Sequence, residues 1–175
     1  MGFSRWDLGE MAISLGDRAA MPMDVAVDSR GYIYIVGSTR EGRRIFRFDF
    51  DGQYMGEVPR PFLPSGQLAK VDNIDVDGQD RIVILDRTGL RVSVCTGEGE
   101  LVSTFAIMPE LSVADRREAV LGSLTVAGDR IYIPFSAFGT VFVFSTEGDQ
   151  VAAYGYKGNN PGQLNFPVAV EVSLV

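Results

Sequence analysis

Apolar and polar positions alternate along this chain in short runs, and the runs recur. VAVDSRGYIYIV (25–36), IDVDGQDRIVIL (74–85) and LTVAGDRIYIP (124–134) each set two apolar, strand-sized stretches around a polar turn. RIFRFDFDGQYMGEV (44–58), RVSVCTGEGELVSTF (91–105) and TVFVFSTEGDQVAAYG (140–155) repeat the device with a glycine in the turn. Ile33, Ile82 and Ile131 stand at equal intervals, and Gly52, Gly99 and Gly148 lie equally far beyond Arg44, Arg91 and Thr140. The unit is therefore about 49 residues long and occurs three times, a period that marks an array whose units bury their apolar faces against neighbours.

Each unit holds four strand-sized stretches. In the first copy these are Asp24–Asp28, Tyr32–Val36, Arg44–Phe50 and Gln53–Val58, and Asp51-Gly52 is a strong hairpin signal between the last two. β-branched and aromatic residues fill them, as in Ile33 to Val36 and Val141 to Phe144. Four antiparallel strands in 40 to 50 residues make one blade of a β-propeller. Blades stack face to face, which explains runs that are apolar throughout instead of strictly alternating. Full blades are expected at 22–58, 71–105 and 122–155. Two connectors carry Gly66-Gln67-Leu68 and Gly162-Gln163-Leu164. The connector between the second and third blades differs: Ser112, Asp115 and a closing Gly122 predict a short capped helix ending near Leu121.

These residues resemble the NHL-repeat family of β-propellers. Gly162-Gln163-Leu164-Asn165-Phe166-Pro167-Val168-Ala169-Val170 is similar to the start of its repeat. Val27-Asp28 with Gly31, and Val76-Asp77 with Asp80, follow its first turn, and Arg44-Ile45-Phe46-Arg47-Phe48 and Arg91-Val92-Ser93-Val94 its third strand. The likeness covers nearly the whole chain and implies a fold, not an activity. The family's Asp before the Arg strand survives only as Asp86, so the resemblance implies a structural ion pair between Asp86 and Arg91. Gly37 and Phe135 replace that Asp elsewhere, and Thr140 replaces the Arg of the third copy.

Residues 1–16 resemble the end of a preceding blade, with Trp6 in its strand, and 164–175 the first strand of a following one. Three blades are fewer than the four to eight of a closed propeller. Either further blades complete the ring, or copies of this chain self-associate to close it.

Composition narrows the chemistry. The 175 residues include 46% hydrophobic and 22% charged residues, as in an ordinary globular domain. There is no histidine, which excludes Ser-His-Asp and Cys-His catalysis within the chain. The one cysteine, Cys95, alternates with Val92 and Val94 and reads as a buried, inert thiol. The net charge of −7 disfavours a phosphate backbone as main partner. No apolar run suffices to span a bilayer and the start has no signal-peptide pattern, so a soluble chain of unassigned compartment is expected.

Asp72, Asp75, Asp77 and Asp80 crowd one strand and turn, but no Asp-x-Asp-x-Asp-Gly loop with a distal Glu appears, so turn capping is expected and no metal or cofactor. Arg40, Arg43, Arg44 and Arg47 read as a solvated hairpin tip. Function in repeat arrays gathers on connecting loops. The candidate binding residues are thus Arg60, Phe62 and Leu63 in the proline-rich connector, Arg116 and Arg117 in the 107–121 insertion, and Tyr156 and Lys157 in the last connector. Competing readings make Phe62 and Leu63 core plugs, and Trp6 and Tyr156 packing residues. No residue is assigned a catalytic role. The expected function is a non-enzymatic scaffold presenting inter-blade loops to a protein or small ligand. The alternatives that the resemblance implies are a propeller enzyme, of metal-assisted lyase or lactone hydrolase type, and less favoured, an RNA-binding propeller.

Overall fold

The computed structural model describes residues 21–107 and 119–173. Its described residues form three four-stranded antiparallel meanders. The first holds β1 (Met21–Val27), β2 (Ile33–Thr39), β3 (Gly42–Phe48) and β4 (Tyr54–Val58). The second holds β5 (Asn73–Val76), β6 (Ile82–Asp86), β7 (Arg91–Cys95) and β8 (Leu101–Ala106). The third holds β9 (Thr125–Ala127), β10 (Arg130–Phe135), β11 (Thr140–Ser145) and β12 (Gln150–Tyr154), with a 3-10 turn at Ser136–Phe138. In each sheet the strands lie in chain order. No helix among the described residues is long and apolar enough to cross a membrane.

One local device closes most of the outer hairpins. Asp28, Asp49, Asp77, Thr96 and Ser145 each open a turn in which the backbone N–H three residues on donates to the opener's carbonyl, at 3.0, 3.0, 3.0, 2.9 and 3.1 Å. The opener's side-chain oxygen also accepts the N–H groups two and four residues on. With aspartate these bonds measure 2.8–3.0 Å. With the hydroxyl openers they measure 3.2–3.3 Å, as expected when an acceptor loses its charge. The fourth residue of each turn sits in the left-handed region. Glycine fills that place except at Asp80, whose φ is 59°.

The middle strands are apolar on both faces because both faces lose water. Tyr34, Val36, Ile45 and Val58 of the first sheet pack with Ile74, Ile82, Ile84 and Cys95 of the second. The alternate residues of the second sheet, Val83, Leu85, Val92 and Val94, pack with Leu124, Ile131, Ile133 and Phe135 of the third. Phe135 is edged by Phe142, with ring centroids 4.9 Å apart.

The sheets share no β-ladder, so side chains tie their inner strands. The Asp24 carboxylate accepts the Ile74 N–H at 2.7 Å and also the Asn73 side-chain amide. Asn73, only 4% exposed, in turn accepts the Leu124 N–H at 2.5 Å. Asp75 accepts the Val126 N–H at 2.6 Å. At the outer hairpins Asp80 accepts both the N–H and the hydroxyl of Ser29 at 2.8 Å. Desolvation raises the Asp75 carboxyl above its ordinary range, whereas the Ser29 donors hold that of Asp80 below it.

Two expectations change here. Residues 164–173 form no strand; they lie beside the third sheet, where Ser123 N–H donates to the Val168 carbonyl at 2.9 Å and the Thr125 hydroxyl to that of Val170 at 2.7 Å. Without a second strand alongside, this segment has no ladder to join. Strand limits also shift: β1 begins at Met21, and β2 and β3 extend to a turn at Arg40-Glu41. The expected blade end at 1–16, with Trp6, and the body of the expected 112–121 helix lie outside the described residues.

Two outcomes follow. Gly99 and Gly66 both have positive φ, but a Cβ on Gly99 would collide with the Pro59 carbonyl, whereas one on Gly66 would meet open space. Gly66→Ala should cost about 1 kcal/mol in denaturant unfolding, from backbone conformation alone. Gly99→Ala should cost more than about 3 kcal/mol; equal costs would contradict the close inter-blade approach. The Asp80 carboxylate, held below its ordinary value of 3.8, contributes stability that is present above that pH and lost as pH falls through its folded value. The stability gap between wild type and Asp80→Asn should therefore close in acid and stay open at neutral pH.

Candidate functional site

An antiparallel meander sends alternate turns to opposite ends of its sheet. The first and third turns of every blade lie at one end. The middle turns lie at the other, together with the connectors that run from blade to blade. The connector end is the less regular of the two, and it holds the candidate site.

The first connector is a small hairpin of its own. Phe62 bridges Leu68, the Leu63 N–H donates to the Gln67 carbonyl at 2.8 Å, and the Gly66 N–H to that of Leu63 at 2.8 Å. Pro64 presets the turn and Gly66, at φ 79°, completes it. This leaves Phe62 68% and Leu68 41% exposed, so Phe62 is not the core plug that its apolar character suggested. Pro61 is buried in its place and Leu63 is half-buried. Between this hairpin and the β6–β7 turn lies a cleft of about 440 Å3, lined by Leu63, Pro64, Leu68, Lys70, Asp86 and Arg91, among others.

Asp86 and Arg91 face one another in the β6–β7 register but do not form the expected ion pair. Asp86 accepts the Gly89 N–H at 2.6 Å, because the turn that reverses the chain needs an acceptor there. The Arg91 guanidinium donates instead to the Thr104 hydroxyl at 3.3 Å. Leu63, Asp86 and Arg91 thus meet at the cleft. Arg60 is half-buried and does not line the cleft; the Pro59 carbonyl before it lies against Gly99. Tyr156 and Lys157 stand exposed on the last connector, and with 60% of its surface open Tyr156 does not have the packing role read for it among the described residues. Arg116 and Arg117 lie outside the described residues.

The arginines of β3 and of the turn before it are not a uniformly solvated tip. Arg43 pairs with Asp72, Arg44 with Glu41 and Glu57, and Arg47 with Glu98 at 3.6 Å, while Arg40 alone of the group is exposed and without an ion pair. The carboxylates read as turn residues have a wider duty. Asp77 caps its turn, but Asp72, Asp75 and Asp80 reach across blade junctions. The repeat carried a signal for such ties, since Asp24 and Asn73 occupy the same place in successive units. Cys95 is fully buried, and burial raises its thiol to about 12. Thiol titration should show native Cys95 unreactive and denatured Cys95 reactive; rapid native labelling would contradict this burial.

No family model and no curated protein matches the chain. Solved structures do. A virginiamycin B lyase from Staphylococcus aureus superposes with a TM-score of 0.55 at 15% identity, over 82% of this chain and 44% of the lyase. Apo AztD from Citrobacter koseri does so with a TM-score of 0.52 at 13% identity, over 80% of this chain and 35% of AztD. At such identities the likeness shows the fold alone. The chain has a β-propeller fold, with three blades among its described residues, and spans less than half the length of these structures.

Proposed function

We propose that this chain is an NHL-type propeller scaffold that binds a partner through its connector end. The observation that carries the proposal is the Phe62–Leu68 hairpin. It holds apolar side chains out in water beside a cleft, on a turn stiffened by Pro64, at the end where the blades differ most. Solvent-exposed apolar groups around a concavity of a few hundred Å3 are the usual signature of a binding site.

These 175 residues supply no histidine as a general base, so the reading rests on binding by the residues present. A catalytically inactive form of the Staphylococcus aureus lyase, solved with quinupristin, carries alanine in place of a histidine. This chain contains no histidine to supply such a group.

Ligands selected from a peptide display library test the reading. Phe62→Ala should weaken their binding about tenfold, the usual cost of truncating an exposed aromatic anchor. The thermal midpoint should stay within about 2 °C, because a side chain so exposed contributes little to folding. Unchanged affinity, or a comparable loss of stability, would contradict it.

A further inference from the structure

The charges divide between the two ends of the propeller. At the hairpin end each cation has a carboxylate partner among the described residues. Arg30 pairs with Asp28 at 2.8 Å, Arg81 with Asp77 at 2.6 Å, Arg47 with Glu98 at 3.6 Å and Arg130 with Asp129 at 3.7 Å. Asp51, Glu100 and Asp149 remain there without an ion pair among the described residues. The connector end is the reverse. Among the described residues Glu41 and Glu57 pair with Arg44 and Asp72 with Arg43, while Asp86, on the cleft wall, accepts the Gly89 N–H and has no ion pair. Arg40, Lys70, Arg87, Arg91 and Lys157 lie at this end and have no ion pair among the described residues. Arg87 donates to the Ser123 hydroxyl at 3.2 Å and its buried Nε has no partner. In a chain of net charge −7, these five described cations without an ion pair thus gather at one end.

Resting on the scaffold reading above, we infer that the connector end docks an acidic peptide segment of a partner protein that also carries aliphatic side chains. The cations sit on the middle turns of two blades and on the first and last connectors, a spread that an extended chain matches and one small anion does not. Between Lys70 and Arg91 the cleft is walled by Leu63, Pro64 and Leu68, which suit a Leu, Ile or Val side chain better than a stacked base. Unpaired cations of this kind steer and orient an acidic partner, and contribute most at low salt.

The test uses a fluorescein-labelled peptide of about twelve residues built from Asp, Glu, Leu and Pro, an Asn/Gln counterpart, and a single-stranded oligouridylate, against the full chain. The acidic peptide should bind, and its affinity should fall at least about tenfold between about 0.05 and 0.3 M salt. Arg40→Glu with Lys70→Glu should lower it about tenfold further. Arg130→Glu, at the opposite end, should leave it unchanged. Both Arg40 and Lys70 are exposed, so unaltered thermal midpoints would certify the fold of the double variant. Equal binding of the neutral peptide would overturn the acidic assignment while leaving the scaffold reading standing. Tighter binding of the oligouridylate would overturn it in favour of a nucleic-acid surface. Binding by none of the three would overturn the inference and count against the scaffold reading as well.

Discussion

Neighbouring sheets in this fold exchange no ladder hydrogen bonds, so nothing in strand pairing sets one blade against the next. Apolar packing holds them together but is tolerant of sliding. The setting comes from a buried polar relay along the inner strands. Asp24 receives Asn73 and Ile74, and Asn73, buried and obliged to satisfy its amide, receives Leu124. One side chain therefore touches all three blades. Every feature of the connector end, from the Phe62 hairpin to the spacing of the cleft walls, is held in place by sheets whose relative position this relay defines.

The relay also explains why polar residues interrupt strands that are otherwise apolar on both faces. A carboxylate aimed at a backbone N–H replaces the rung that an adjoining strand would have made. It is directional where apolar contact is not. The Asp80–Ser29 contact does the same at the outer hairpins, which fixes the tilt of one blade on the next at a second point. With junctions pinned in this way, the exposed parts of the connectors can vary in length, charge and apolar content.

The blades were legible because their signals are local. Period-two alternation, turn openers and left-handed glycines all act within a few residues, and they repeat. Phe62 was legible as a candidate, but its orientation was not, since an apolar residue in a proline-rich connector reads equally as a plug or as a contact. The Asp86–Arg91 pair failed for a similar reason: facing positions on two strands say nothing about the competing N–H of Gly89. Charge partition was illegible altogether. The chain reads as acidic, and only the topology shows that Arg40, Lys70 and Lys157 share an end while Asp51 and Asp149 share the other.

Hydrogen exchange at single amides probes the relay most directly. In Asp24→Ala the Ile74 amide loses its acceptor, so its exchange should quicken by about tenfold or more, while Leu124, still bonded to Asn73, keeps most of its protection. If Ile74 exchanges at the wild-type rate in that variant, the carboxylate does not hold the first two blades in register and the relay is not what sets the propeller.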